Sequence, residues 1–195
     1  MSTTPRLLAF AGSTREGSFN RRLVRLGADL ATAAGAVVTT VELRDLPMPL
    51  YDGDLEAREG LPANARRLKE LMISSDGLLL ASPEYNSSIP GTLKNALDWA
   101  SRAAPGEAPL LAFRGKVAGL LAASPGALGG LRALVHVRAI LSSLDVLVLP
   151  EQFALAKANE AFDPKGGLLD PKQGAALKRV VDRLVFVTSR LAAPA

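Results

Sequence analysis

Short apolar runs along this chain alternate with stretches in which apolar residues recur every three or four positions. Arg6 to Ala11 is such a run, ended by Gly12, and predicts a first strand. Phe19, Leu23, Leu26 and Leu30 follow at helical spacing, so a helix is expected from about Ser18 to Ala34, stopping at Gly35. Val37, Thr39, Val41 and Leu43 alternate with Val38, Thr40 and Glu42, which reads as a half-buried edge strand. A proline-rich loop at 47–54 precedes a second helix, opened by Pro62 and carried by Ala65, Leu68 and Met72. Gly77 to Ala81 predicts a buried third strand. Prolines, a glycine and small polar residues force a turn over 82–91, after which Leu93, Ala96, Leu97 and Ala100 mark a helix opened by Pro90. Residues 102–115 read as a surface connection, and Val117 to Ala123 as a strand apolar on both faces. A glycine-rich turn at 124–130 leads into a helix at 131–144 and a fifth strand at 145–150. The stretch 151–167 reads as irregular; Leu177, Val181, Leu184 and Leu191 mark a final helix.

Strands alternating with helices imply an α/β fold, one doubly wound parallel sheet with helices on both faces. A single domain is expected over 1–195. For five strands the expected order is 2-1-3-4-5, the flavodoxin-like arrangement. That order makes strands one and three neighbours at the switch point, where ligands bind beyond the carboxyl ends. The loops it brings together are Gly12–Asn20 and Ser82–Ile89, with Ser124–Gly130 beside them.

Composition narrows the chemistry. The chain has 195 residues, 48% hydrophobic and 22% charged, as expected of a globular protein that buries a full core. With no cysteine, a disulfide scaffold, a thiol nucleophile and thiolate metal sites are excluded, and the single histidine, His136, disfavours a histidine-based metal site or relay. The sequence shows neither a signal-peptide pattern nor an apolar run approaching ~18 residues, so a cytoplasmic protein without membrane insertion is expected. The net charge of +4 is spread along the chain, which favours small anionic ligands over nucleic acid.

The loop Gly12-Ser13-Thr14-Arg15-Glu16-Gly17-Ser18-Phe19-Asn20 supplies hydroxyls, a guanidinium and an amide where a helix N-terminus opens, a combination suited to a terminal phosphate. It lacks the G-x-G-x-x-G of dinucleotide folds. It has the G-x-x-x-x-G spacing of a triphosphate loop, but Ser18 and Phe19 stand where lysine and a hydroxyl residue belong. A monophosphate is favoured over ATP; a polar connection capped by Ser18 is the equal alternative.

Gly-Ser-Thr-Arg-Glu-Gly-Ser-Phe-Asn at 12–20, Ser-Pro-Glu-Tyr-Asn at 82–86 and Gly-Thr-Leu-Lys-Asn-Ala-Leu-Asp-Trp at 91–99 together resemble the NADPH-dependent FMN reductase family, nearest to its chromate- and quinone-reducing branch. The likeness runs from the first strand to the loop at Ser124 and takes in 46–54. It implies one FMN per subunit, its phosphate held by Ser13, Arg15, Ser18 and Asn20 in a loop completed by Thr14, Glu16, Gly17 and Phe19. It implies further that Pro83, Glu84, Tyr85 and Asn86 lie along the flavin ring, and that Ser124 approaches from the next loop. The resemblance also implies a homodimer or homotetramer, with NADPH or NADH as co-substrate. Quinones, and by extension chromate or azo compounds, are the expected acceptors. Such a site needs no acid–base residue of its own and no metal, because the flavin carries the hydride. A flavin reductase that hands reduced FMN to a monooxygenase is the near alternative. An electron carrier or redox-sensing protein is the alternative of another class, although carriers are typically acidic.

Several residues have plain readings. Glu84 is expected to act through its backbone, Tyr85 to stack or lie on the surface, and Trp99 to pack. Lys94 is a candidate donor to the reduced ring or a solvated lysine. His136 reads as a surface or packed histidine, and Asp45, Asp52 and Asp54 as a solvated acidic loop.

Overall fold

The computed structural model describes residues 3–192. The chain runs β1 (Arg6–Ala11), α1 (Phe19–Ala33), β2 (Val37–Glu42), a 3₁₀ turn (Leu43–Asp45), α2 (Gly53–Glu59), α3 (Ala63–Ile73) and β3 (Gly77–Ala81). It continues through α4 (Gly91–Ala100), β4 (Val117–Ala123), α5 (Leu131–Ser143), β5 (Leu147–Leu155) and α6 (Pro171–Leu191). All five strands are parallel, in the order β2-β1-β3-β4-β5.

Strand parity explains the layering. Successive side chains point to opposite faces, so Leu7, Ala9 and Ala11 of β1 pack with α1 and α6, while Leu8 and Phe10 pack with α3, α4 and α5. The same split runs through β3, with Leu79 on one side and Leu78 and Leu80 on the other. β3 and β4 are buried throughout, whereas β2 at the edge has no fully buried residue.

Three expectations change. The proline-rich loop contains a helix, α2, capped by the Asp52 carboxylate accepting from Asp54 N at 2.8 Å; with no buried residue in α2, no apolar period announced it. β5 runs to Leu155 rather than ending at Pro150. Its register shifts, Ala118 pairing with Val148 and Leu120 with Gln152, and this irregularity on an edge strand accommodates the proline. Pro62 and Pro90 stand at the N-cap, one residue before the first helical turn.

Candidate functional site

The parallel register brings the loops together. Ala11 pairs with Ala81, and Ala81 with Leu121, so β1, β3 and β4 end side by side. The ladder continues into the loops: Gly12 N donates to Ala81 O at 2.8 Å, Ser82 N to Leu121 O at 2.9 Å, and Ser124 N to Leu155 O at 3.1 Å. Between them lies a cleft of about 180 Å³, walled by Ser13, Arg15, Ser18, Pro83, Tyr85 and Ser124. Phe19, Asn20 and Glu84 also line it, together with Ala123 and Pro125, which the sequence did not single out. Thr14 faces elsewhere, and Glu16, Gly17 and Asn86 are not part of the wall.

Each wall has a local cause. Ser18 is the N-cap of α1, its hydroxyl accepting from Arg21 N at 3.4 Å, so the first N–H groups of the helix open toward the cleft. Ser13 Oγ accepts from Arg15 N at 3.3 Å, which folds the loop back. Arg21, buried beneath, reads the loop's backbone: its guanidinium donates to the Arg15 and Glu16 carbonyls at 3.2 and 3.1 Å and to Glu42 at 2.6 Å. No motif in the sequence pointed to Arg21 or Glu42, because their pairing joins α1 to the far end of β2.

Asn20 joins two of the loops. Its amide donates to Ala123 O at 2.8 Å and its carbonyl accepts from Ala123 N at 2.9 Å, both ends buried. The side chain therefore holds the end of β4 against the start of α1.

The 82–89 loop turns tightly at Asn86 and Ser87, with φ of 51° and 65°, closed by Tyr85 N to Ser88 O at 2.9 Å and Ser88 N to Tyr85 O at 3.0 Å. Both central residues take the left-handed region, as a type I′ turn requires. Tyr85 projects, 53% exposed. Glu84 acts through its carboxylate, contrary to the backbone role expected. It accepts from Arg132 N at 3.0 Å and Arg132 Nε at 2.7 Å, and so caps α5 from the neighbouring loop. Burial pushes its pKa up, but Arg132 and the α5 amides outweigh burial and hold the carboxyl below its usual range.

The 124–130 turn depends on Gly129. With φ of 62°, a Cβ there would sit 2.7 Å from Ala156 N and Leu155 C, so only glycine lets the turn lie against the end of β5.

Other residues settle into structural roles. Trp99 is fully buried and donates from Nε1 to Pro49 O at 2.8 Å. Lys94 pairs with Asp98 at 2.7 Å along the exposed face of α4. His136 Nδ1 lies 2.8 Å from Ser88 Oγ, pinning the turn to α5.

A larger hollow of about 300 Å³ opens on the far side of the loop, between Thr14, Met48 and Asn95. The smaller cleft is the stronger ligand site, because a helix N-terminus, two serines and Arg15 converge there. Arg15 has no carboxylate partner among the described residues; its guanidinium donates to Gly17 O at 3.2 Å. That donor set fits a phosphomonoester, and the adjoining 83–85 and 123–125 backbone offers a slot for a planar ring.

Residues 5–160 match the family described as NADPH-dependent FMN reductase. The chain is 40% identical over 195 residues to the NAD(P)H-dependent FMN reductase PA1204 of Pseudomonas aeruginosa, covering 98% of this chain and 99% of that one. It is 37% identical over 168 residues to a quinone reductase of Escherichia coli K12, covering 86% of each. Among solved structures, FerB of Paracoccus denitrificans, a flavoenzyme NAD(P)H:(acceptor) oxidoreductase, aligns with a TM-score of 0.79 at 30% identity, over 95% of this chain and 98% of its own.

Proposed function

Because this chain belongs to the NADPH-dependent FMN reductase family, we propose that it holds FMN in the cleft at the ends of β1, β3 and β4 and reduces quinones with NAD(P)H. The observation that carries this is the convergence of an N-terminal helix opening, an uncommitted arginine and two flanking loops in one cavity.

FMN, when bound, would supply the hydride-transfer chemistry between a nicotinamide and an acceptor. The protein's share is binding and orientation. Ser13, Ser18, the α1 amides and Arg15 would hold the phosphate, and Phe19 would close its side. Arg21, outside the lining of the cleft, keeps the loop in shape. Pro83, Glu84 and Tyr85 would border the ring, on a loop made rigid because Glu84 is tied to α5 and Asn86 sits in a closed turn. Ser124 would approach the ring from the next loop; its Oγ accepts from Gly126 N at 3.2 Å and keeps its own proton to donate.

Exposed Tyr85, Leu131 and Val135 lie around the cleft and α5, and support the expected homo-oligomer. Among the described residues no helix is long and apolar enough to cross a membrane. Use of a nicotinamide co-substrate supports a cytoplasmic setting.

The purified protein, titrated with FMN, should quench flavin fluorescence at a stoichiometry of one per chain. It should then oxidise NADPH or NADH in the presence of a quinone, with chromate and an azo dye run in parallel. Absence of FMN binding refutes the reading. FMN that leaves during turnover, detected by capture in a second flavoprotein, would move the assignment to flavin supply, in keeping with the name of the Pseudomonas relative.

A further inference from the structure

On the outer face of α1, a depression of about 290 Å³ is lined by Arg22, Arg25, Asp29 and Lys165 beside the turn at 166–167. Arg25 is bound to Glu42 at 2.6 Å. Arg22 and Lys165 have no carboxylate partner among the described residues; Arg22 donates only to the Asp163 carbonyl, at 3.5 Å. The Asp163 carboxylate is turned to the backbone, accepting from Lys165 N at 2.7 Å and Gly167 N at 3.0 Å. Asp29 is the remaining acid of the lining.

An aromatic ladder links this depression to the cleft. The Arg15 guanidinium stands 5.7 Å from the centre of the Phe19 ring, and Phe19, itself a wall of the cleft, stacks on Phe162 at 6.5 Å and 9°. Arg22 stands 4.2 Å from the centre of the Phe162 ring. Cations held over aromatic faces are positioned without being neutralised. Beyond the phosphate end of the cleft the surface thus offers a flat apolar wall at Phe162 and, past it, two positive charges without carboxylate partners.

NADPH differs from NADH by one phosphate on the adenosine ribose, and an arginine beside that ribose is how a dinucleotide site accommodates it. We propose that Arg22 and Lys165 bind the adenosine 2′-phosphate of NADPH, which makes this depression the determinant of selectivity for NADPH over NADH. The proposal rests on the flavin reading, since it needs the nicotinamide of the same molecule against the flavin held in the cleft.

The test is calorimetric titration of FMN-saturated protein with adenosine 2′,5′-bisphosphate and, separately, adenosine 5′-monophosphate. The bisphosphate should bind about ten-fold tighter or better, the worth of one charge-assisted contact. Arg22→Gln and Lys165→Ala should each cut that ratio several-fold, and the double variant should bring it to about one with FMN affinity unchanged. Both side chains are exposed, so the variants keep their fold. A ratio near one in the unaltered protein, or a ratio that survives in the double variant, overturns the proposal. Failure to take up FMN, read by absorbance before any nucleotide is added, would instead strike the flavin reading itself.

Discussion

Replacing Asn20 by alanine separates two roles that the same residue type can play beside a phosphate. As a ligand, its amide would spend its energy on FMN; in this structure it spends it on Ala123, with bonds of 2.8 and 2.9 Å in a buried setting. Truncation leaves the Ala123 N–H and C=O without partners. At ~1–3 kcal/mol for each buried group left unpaired, the loss is about 2–6 kcal/mol, out of roughly 5–15 kcal/mol for a native domain. For a chain of this size that corresponds to a fall in Tm of roughly 4–24 °C. Urea denaturation of the FMN-free protein should show a lower midpoint at unchanged slope. FMN affinity, followed by fluorescence quenching, should fall by only about ten-fold, because the cleft is loosened but no ligand contact is lost. Asn20→Asp adds a pH signature. Its carboxyl would keep an acceptor for the Ala123 N–H but oppose the Ala123 carbonyl until protonated. Its folded-state pKa is then raised above the unfolded value, so the variant should gain stability as the pH falls and lose it as the pH rises. If the alanine variant melts like the unaltered protein while FMN affinity collapses a hundred-fold, Asn20 is a ligand and the clamp argument is wrong.

Gly129→Ala should cost more than about 2 kcal/mol, because the added Cβ meets backbone of β5 at 2.7 Å and no rotamer relieves it; an unchanged thermal melt would contradict this. Glu84→Gln should cost about 1 kcal/mol at neutral pH by removing a charge from the α5 N-terminus. Because the carboxyl of Glu84 is held below its usual range, its contribution is present above the ordinary carboxylate pKa and fades as the pH falls through the folded value. Parent and variant stabilities should therefore converge in acid, and a constant difference down to low pH refutes the assignment. Lys116, whose ammonium donates to the buried Ser75 carbonyl, is pushed down to about 8 by burial. Between about pH 8 and its ordinary value of 10.5 the unfolded chain binds more protons, so stability should climb across that window by up to a few kcal/mol. Lys116→Met should flatten the climb; equal slopes in the two proteins would show that another group titrates there.

Much of this protein is decided by local pattern. Uninterrupted runs such as Leu78–Leu80, and the spacing of Phe19, Leu23, Leu26 and Leu30, report burial through strand and helix geometry, which repeats within a few residues. Handedness and crossover rules then leave a handful of strand orders, of which the flavodoxin-like one expected for five strands is the one found, and with it the meeting of the 12–20, 82–89 and 124–130 loops. Serines and glycines in those loops could be named in advance because turns and helix openings need them whatever else is near. Tertiary structure alone decided which partner each polar group took. Glu84 reaches Arg132 and Asn20 reaches Ala123 across 48 and 103 residues of chain, and Arg21 braces a loop through Glu42 at the end of another strand. Helix α2, with nothing buried, left no trace in the apolar pattern. A side chain's hydrogen bonds depend on distances set by packing of remote segments, and no periodicity along the chain encodes them.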